Sequence, residues 1–434
     1  MKNCFSIIRI YLFIFLIGLI ASCKEVKKSD VKEEVLTKEL SAKDILGNPK
    51  YQAMSYGGYR HADHSIEPTT EELKEDMKIL HAMGVRILRT YKLLKPQAAN
   101  LVRVISEMKK EDPDFEMYIM LGAWVDCKNS FNSGNGAPDH NKENEENPAE
   151  IERAIALANE YPDIVKVIAV GNEAMVKWAA SYYVEPWIIL KWVNHLQDLK
   201  KEDKLPKDLW VTSSDNFASW GGGGEEYHID DLNQLIKAVD FISMHTYPMH
   251  DTHYQPEFWL NGEGLDGKTA IEKIDISMLR AKNYAMMQYE NVKKYMESLG
   301  VNKPIHIGET GWASFSGGQY GPDGSKACDE YKEALYYKHM REWTNEAGMS
   351  CFYFEGFDEP WKGGDNPGNS EKHFGLFTVD GKAKYTIWDL VDQGIFEGLT
   401  RNGNAITKTY DGNKEELMKT VLVPPTRQEI AGHR

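Results

Sequence analysis

Two glutamates, each placed directly after an apolar, β-rich run, are the residues of this sequence best suited to chemistry. The first ends the segment Gly171-Asn172-Glu173, which follows the run 164–170. The second lies in Gly308-Glu309-Thr310-Gly311-Trp312, which follows the run 303–307. A carboxylate at the end of a buried strand is either paired or directed into a cleft, because burying it alone is costly. Two such carboxylates are the groups that hydrolysis of a glycosidic bond requires.

The retaining form of this reaction gives each glutamate a role. Carboxyl groups about 5 to 5.5 Å apart suit retention, in which one attacks the anomeric carbon and the other protonates the leaving oxygen. We assign Glu173 as acid and then base, with the Asn172 amide near the sugar 2-hydroxyl. Glu309 is then the nucleophile, held ionised by neighbours such as Tyr247. The spacing alone leaves open which glutamate has the apolar surroundings that an acid needs.

Strand-like and helix-like segments alternate along the chain, and this order predicts the fold. Strands are predicted at 51–56, 85–91, 115–124, 164–173, 209–215, 239–247, 304–309 and 350–357. Thr69 to Glu72 is a capping box that begins a helix, and Gly84 ends it. Eight strands alternating with helices predict a (β/α)8 TIM barrel with extended βα loops. An open doubly wound sheet is the alternative, but no glycine-rich phosphate turn follows the first strand.

The barrel prediction places the chemistry at one end of the strands. In this fold the carboxyl ends of the strands, and the loops after them, form the active site. Glu173 ends strand four and Glu309 ends strand seven, so we expect them on opposite sides of one cleft. Other polar or aromatic residues predicted on this rim are Arg89, Tyr91, His245, Tyr247, Glu355 and Glu359. Long insertions at 126–147, 217–230, 249–276 and 315–329 are expected to form the cleft walls.

Three motifs resemble the signatures of glycoside hydrolase family 17. They are Gly171-Asn172-Glu173, His245-Thr246-Tyr247-Pro248 and the segment Glu309-Thr310-Gly311-Trp312-Ala313-Ser314. Members of that family include endo-1,3-β-glucanases such as laminarinases, and related glucanosyltransferases. The resemblance implies a (β/α)8 barrel with the acid/base after strand four and the nucleophile after strand seven. The loops 126–147 and 249–276 match no pattern of the family.

The resemblance also implies which residues surround the scissile bond. Glu173 falls on the acid/base of the family and Glu309 on its nucleophile. The positions implied to line the sugar site are Tyr91, Asn172, Tyr247, Trp312, Glu359 and Lys362, and the matched segments also contain Arg89, Glu355 and Trp361. A pyranose ring presents C–H groups to an indole face, so the tryptophans Trp124, Trp220, Trp312 and Trp361 are either stacking platforms or packing residues.

Together these features predict a retaining glycoside hydrolase that cleaves internal β-1,3-linkages of laminarin-like glucans. A β-1,3-glucanosyltransferase, in which a sugar acceptor replaces water, fits the same residues. A non-catalytic surface glycan-binding lipoprotein is the alternative from another class, and the intact pair Glu173 and Glu309 argues against it. We expect no cofactor and no metal, since no metal-type Cys/His spacing occurs.

The amino-terminal residues indicate export. Residues 1–22 carry Lys2 and Arg9 and then an apolar stretch, and Ile20-Ala21-Ser22-Cys23 reads as a bacterial lipobox. We expect Cys23 to be lipidated and the protein to be an exported lipoprotein of the outer membrane of a Gram-negative bacterium. A cleaved signal peptide in which Cys23 is incidental is the alternative. The predicted division is a charged flexible tether over 23–46, a catalytic domain over 47–399 and a tail over 400–434 that either wraps the barrel or is disordered.

Charge and cysteine content restrict the partners and the cross-links. The formal net charge of −15 disfavours nucleic acid, which is bound through Lys and Arg. We expect a β-glucan as partner and a monomeric chain. In an oxidising compartment a disulfide between Cys127 and Cys328 is the favoured pairing, because both lie in loop-like sequence. Cys351 begins an apolar strand and is predicted to be a buried free thiol.

Overall fold

Eight short strands form a closed barrel in the computed structural model, which describes residues 40–132, 136–262 and 264–431. They are β1 (Gln52–Ser55), β2 (Val85–Arg89), β3 (Tyr118–Ala123), β4 (Val165–Asn172), β5 (Trp210–Asn216), β6 (Ile242–His245), β7 (Ile305–Gly311) and β8 (Cys351–Phe354). Each strand pairs in parallel with the next, and β8 closes on β1. The predicted (β/α)8 barrel is confirmed.

A helix follows each strand and covers the outside of the barrel. These helices are Thr70–Ala82, Gln97–Glu111, Asn147–Glu160, Pro186–Lys201, Asp230–Ala238, Ala270–Ser298, Glu330–Glu346 and the short Trp388–Asp392. A further helix, Pro248–Tyr254, lies in the loop after β6, and short helices Lys414–Lys419 and Arg427–Ala431 lie near the carboxyl end. Among the described residues, no helix has the combination of length and hydrophobicity that crossing a bilayer requires.

Local sequence explains where the first of these helices begins and ends. The Thr69 hydroxyl accepts the backbone N–H of Glu72, and the Thr69 N–H donates to the Glu72 carboxylate at 2.8 Å, so the predicted capping box is present. Leu73, Met77 and Leu80 are fully buried on the face toward the strands. The helix is followed by Gly84 at φ +93°, a conformation that side chains disfavour.

Residues 40–46 close the amino end of the barrel interior, although the sequence predicts them to be part of the flexible tether. Ser41 caps the helix Ala42–Ile45, and both ends of this helix are fully buried. They pack in one apolar cluster with inward-facing strand residues such as Val167 and Phe352. The folded unit begins at Leu40, so the predicted boundary at residue 47 lies too late in the chain. Residues 1–39, which include Cys23 and the rest of the predicted tether, lie outside the described residues.

The carboxyl-terminal segment packs against the barrel over the residues described. Arg401 is fully buried, and its Nε atom donates to Asp76 Oδ1 at 2.9 Å. Arg60 donates to the same oxygen at 2.8 Å, and the Tyr56 hydroxyl donates to Asp76 Oδ2 at 3.0 Å. A buried carboxylate with this many donors is well compensated. The alternative of a wrapping tail is therefore the one that the structure adopts.

The predicted disulfide between Cys127 and Cys328 is wrong for this structure. Both are buried free thiols, and Cys328 Sγ instead lies 3.8 Å from Met249 Sδ. Cys351 is also a buried free thiol, as predicted. The pairing failed because Cys127 begins the short strand Cys127–Lys128 after β3, whereas Cys328 precedes the helix after β7 on another side of the barrel.

Candidate active site

The two glutamates meet at the carboxyl end of the barrel. Glu173 directly follows β4, and its backbone N–H donates to the Ser214 carbonyl oxygen of β5 at 3.0 Å. Glu309 lies in β7, where its register partner on β6 is His245. Parallel register therefore brings residues of β4 to β7 to one level of the barrel.

One carboxylate oxygen of Glu173, one of Glu309 and one ring nitrogen of His245 all lie within 4.8 Å of one another. This separation of carboxylate oxygens is short enough for direct attack by one glutamate on a sugar carbon whose leaving oxygen the other protonates. Inverting enzymes need a wider gap of about 6.5 to 9.5 Å to admit a water molecule. The geometry thus favours retention.

Glu309 is surrounded by hydrogen-bond donors. Arg89 donates through Nη1 to Oε2, which also accepts from the Tyr91 hydroxyl at 2.8 Å. The Tyr247 hydroxyl donates to Oε1 at 2.6 Å. Burial alone would raise the pKa of Glu309, but the Arg89 guanidinium and the two tyrosine hydroxyls outweigh it and lower the pKa to about 2. Glu309 is therefore an ionised carboxylate, as a nucleophile must be.

Glu173 has the opposite environment. Burial raises its pKa, and the nearby negative charge of Glu309 raises it further, to about 8. Its side chain contacts His245, whose Nδ1 atom lies 3.1 Å from Glu173 Oε1. Burial lowers the pKa of His245 to about 4, so the imidazole is neutral at pH 7. A carboxyl group that keeps its proton at neutral pH is suited to be the acid.

The backbone at Glu173 adopts a conformation that non-glycine residues rarely take. Its φ of +45° lies in the left-handed region, which costs free energy for a residue with a β-carbon. Asp215 holds the following turn: its carboxylate accepts the Met175 N–H at 2.7 Å and the Ser219 hydroxyl at 2.7 Å. The turn therefore fixes the direction in which the Glu173 side chain leaves β4.

A cavity of about 970 Å³ opens beside the catalytic pair. Glu173, Tyr247 and Glu309 line it, together with residues mainly from the loops after β5 to β8. The residues of its wall that sequence reasoning missed are Trp178, Asn216, Phe217, Ala218, His250, Asp251, Tyr254, Gln255, Tyr284, Tyr320, Phe354, Glu371 and Phe374. Of the four insertions expected to form the wall, 217–230, 249–276 and 315–329 contribute to it, whereas no described residue of 126–147 does. Trp178 and Tyr254 are 63% and 61% exposed, so their ring faces are free to contact a ligand.

The predicted polar residues fall into two groups. Arg89, Tyr91 and Tyr247 contact Glu309, and Arg89 also donates through Nη2 to Asn172 Oδ1. Arg89 therefore links Asn172, which precedes the acid Glu173, to the nucleophile Glu309.

The second group lies after β8. Lys362 donates to both oxygens of Glu355 at 2.9 Å and is 3.0 Å from Glu359. Its ammonium group lies 4.0 Å from the centroid of the Phe354 ring, which lines the cavity. Glu355 and Glu359 are almost fully buried, so these three residues form a compensated cluster behind the cavity wall.

Burial decides the role of two tryptophans: it corrects the predicted sugar-site position of Trp312, and for Trp220 it selects packing over stacking. Trp312 is fully buried among Trp259 and Tyr336, and its Nε1 atom donates to the Ala327 carbonyl oxygen at 2.8 Å. Trp220 is also fully buried. Neither indole can stack on a sugar, because no face reaches solvent. Trp361 is partly buried and stacks on the His64 ring at a centroid distance of 3.7 Å, which occupies one of its faces.

The trio Glu173, His245 and Glu309 has the donor types and spacing of a metal site. However, both oxygens of Glu309 already accept hydrogen bonds, and one of them faces the Arg89 guanidinium. A metal cation at this point would lie beside that positive charge. The donor set therefore fits the sugar chemistry better than a metal.

Comparison with known proteins agrees with this geometry. The family model described as the BtgE/BtgC glycoside hydrolase domain matches residues 53–375. A solved endo-laminarinase from Formosa Hel1_33_131 is 64% identical, with a TM-score of 0.88 over 89% of this chain and 98% of that one.

More distant proteins are similar to this chain in sequence or in fold. A glucan 1,3-beta-glucosidase from Arthroderma benhamiae is 25% identical over 72% of this chain and 83% of its own length. A glycoside hydrolase family 17 β-1,3-glucanosyltransferase from Rhizomucor miehei shares the fold at 19% identity and a TM-score of 0.51, over 78% of this chain and 96% of that one. The chain spans 36% of the length of a putative glucan endo-1,3-beta-glucosidase from Aspergillus niger.

Proposed function

Because the chain belongs to the BtgE/BtgC glycoside hydrolase family, we propose that it hydrolyses internal β-1,3-glucosidic linkages of laminarin-like glucans with retention of configuration. The observation that carries this proposal is a pair of glutamates within 4.8 Å of each other, of which Glu309 accepts hydrogen bonds from Arg89, Tyr91 and Tyr247 while Glu173 faces the uncharged His245 ring. Glu309 has a pKa lowered to about 2 and Glu173 a pKa raised to about 8. The high identity to an endo-laminarinase supports the substrate class and the internal cleavage.

In the first step, Glu309 attacks the anomeric carbon and the bond to the leaving oxygen breaks. Glu173 gives its proton to that oxygen, so the shortened glucan leaves as an alcohol and the sugar remains as an ester of Glu309. In the second step, the now ionised Glu173 takes a proton from water as the water oxygen attacks the same carbon. Glu309 leaves as a carboxylate, and both glutamates return to their initial protonation.

The hydrogen bonds around the pair suit these roles. Arg89, Tyr91 and Tyr247 stabilise the Glu309 carboxylate when it is released. His245 holds Glu173 Oε1, so the other oxygen of that carboxyl group can carry the proton to the substrate. Asn172 lies next to Glu173 and is oriented by Arg89, which suits the proposed contact with the sugar 2-hydroxyl.

A screen of the purified protein on 1,3-, 1,4-, 1,6- and mixed-linkage β-glucans tests the function, with Glu309→Gln as the inactive control. We expect short oligosaccharides from 1,3-linked glucans. Products longer than the starting laminarioligosaccharide as the main outcome would establish the glucanosyltransferase instead. Binding of glucans without release of reducing sugar would establish the non-catalytic alternative.

We further propose that the protein is an outer-membrane lipoprotein anchored at Cys23 and acts as a monomer. The lipobox-like segment Ile20-Ala21-Ser22-Cys23 supports the anchor, and the charged segment that follows it supports a reach beyond the membrane. Metabolic labelling with a fatty acid tests this: label incorporated by the natural chain should be lost in Cys23→Ser. Light scattering of the chain from residue 40 onward tests the oligomeric state.

A further inference from the structure

Three aromatic side chains outside the cavity form a continuous apolar surface, here called the aromatic patch: Trp124, Phe131 and Tyr182. The ring centroids of Phe131 and Tyr182 are 5.2 Å apart, those of Trp124 and Tyr182 5.3 Å, and those of Trp124 and Phe131 6.4 Å. Phe131 is 57% exposed, and the other two are partly buried. Exposed aromatic surface of this kind marks a binding site when it adjoins a cleft.

The aromatic patch lies on the loops after β3 and β4, at the same end of the barrel as the catalytic pair. Trp124 follows β3, and Tyr182 lies in the loop after β4 that begins with Glu173. This loop folds back on itself, since the Val184 N–H donates to the Ala174 carbonyl oxygen at 2.7 Å. The Cys127 N–H donates to the Tyr182 carbonyl oxygen at 3.1 Å, so the loops after β3 and β4 are joined beside this ring.

A second connection runs through the nucleophile. Tyr91, which donates to Glu309, is followed by Lys92, whose ammonium group lies 5.7 Å from the centroid of Trp124. The aromatic patch therefore lies on the loops after β3 and β4, the second of which begins with Glu173, whereas the cavity is built mainly by the loops after β5 to β8. A chain of sugars that occupies the cavity and extends past Glu173 would meet these rings.

The rings are held in place by polar contacts. Trp124 Nε1 donates to Asp126 Oδ2 at 3.2 Å, and the Ser130 hydroxyl donates to the same oxygen at 2.8 Å. The Phe131 N–H donates to the Ser181 carbonyl oxygen at 2.7 Å, and Phe131 has a φ of +55°, which a residue with a β-carbon disfavours. A large apolar ring is thus kept in solvent at a position where a glycine would fit the backbone better.

We propose that the aromatic patch is a binding subsite for glucose rings of a β-glucan beyond those held in the cavity, with the C–H faces of the sugars stacked on Trp124 and Phe131. This rests on the proposed glucanase function. Rigid aromatic side chains suit such a site because they lose little conformational entropy on binding. The enzyme then prefers long oligosaccharides over short ones, and this preference depends on Phe131.

The variant Phe131→Ala tests the subsite, and Tyr410→Ala is a matched control. Tyr410 is also a partly exposed aromatic residue with a positive φ, and it lies outside the cavity wall. We expect Phe131→Ala to lower kcat/KM on laminarihexaose about fivefold and to leave laminaritriose unchanged, since a stacking contact is worth about that factor. Tyr410→Ala should change neither substrate. Equal loss on both substrates, or no loss on either, would overturn the subsite.

Direct binding separates the subsite from the proposed function. Calorimetry on Glu309→Gln with laminarihexaose should give a Kd that rises about fivefold when Phe131→Ala is added. An unchanged Kd, or no binding of the hexaose, would overturn the subsite. A Phe131-dependent Kd together with a natural enzyme that releases no product would overturn the glucanase function and leave the subsite standing.

Discussion

His245 Nδ1 lies 3.1 Å from Glu173 Oε1, while His245 Nε2 lies 2.8 Å from the Ser214 hydroxyl. The imidazole is fully buried and neutral at pH 7, so it carries one ring proton. With that proton on Nδ1, His245 donates to Oε1 of Glu173 and accepts from Ser214 at its other nitrogen. This arrangement orients the acid without adding charge beside it.

Replacing His245 should therefore misplace the acid rather than weaken substrate binding. We expect His245→Leu to lower kcat about 100-fold with little change in KM, as a small displacement of a reacting group can cost that much. His245→Asn, whose amide can donate near the position of Nδ1, should retain more activity. Steady-state kinetics on laminarihexaose measures both. An equal loss of kcat in His245→Leu and His245→Asn would contradict the orienting role.

The pH dependence of activity follows from the two glutamates. The raised pKa of Glu173, about 8, means that the acid is protonated at neutral pH and loses its proton as the pH rises through that value. Glu309 remains ionised through the same range because its pKa is lowered to about 2. We expect kcat/KM to fall on the alkaline side near pH 8 and to remain high down to mildly acidic pH. An alkaline limb near the ordinary pKa of glutamate would contradict the assignment.

Tyr247 is one of the groups that, together with the Arg89 charge, lower the pKa of the nucleophile. Its hydroxyl donates to Glu309 at 2.6 Å and so stabilises the ionised form. Tyr247→Phe removes this donor, so the pKa of Glu309 rises and the acidic limb of kcat/KM moves to higher pH. The alkaline limb, which belongs to Glu173, should stay in place. A pH profile of both proteins measures the two limbs separately.

Truncation of two tryptophans should affect different properties, stability for Trp312 and substrate binding for Trp178. Trp312 is fully buried, so Trp312→Ala leaves a cavity and should lower the free energy of unfolding by about 3–5 kcal/mol. Trp178 is 63% exposed at the cavity, so Trp178→Ala should change stability by less than about 0.5 kcal/mol and raise KM. Thermal unfolding and kinetics on laminarin distinguish the two. A stable Trp312→Ala with a raised KM would show that the indole contacts sugar.

The barrel and the positions of the glutamates could be predicted because their signals are local. Alternating segments give the strand order, and a charged residue directly after an apolar run identifies a strand end. The role of each glutamate depends on contacts between distant segments. Arg89 on β2 and Tyr247 after β6 reach Glu309 only once the barrel closes. Their contacts decide which carboxyl group is ionised.

The residues whose positions could not be predicted are those whose surroundings come from distant segments of the chain. Trp312 follows the nucleophile by three positions, but Trp259 and Tyr336 cover it from two other segments. Cys127 and Cys328 both read as loop residues, yet they lie after different strands. Glu371 and Trp178 gave no signal in sequence, because only the folded loops bring them to the cavity.

The stereochemistry of the first product tests the central claim most directly. Proton NMR of a laminarin digest, recorded before mutarotation, identifies the anomer released. The adjacent, oppositely protonated pair Glu173 and Glu309 predicts the β-anomer, formed with retention. Initial release of the α-anomer would contradict the two-glutamate retaining mechanism.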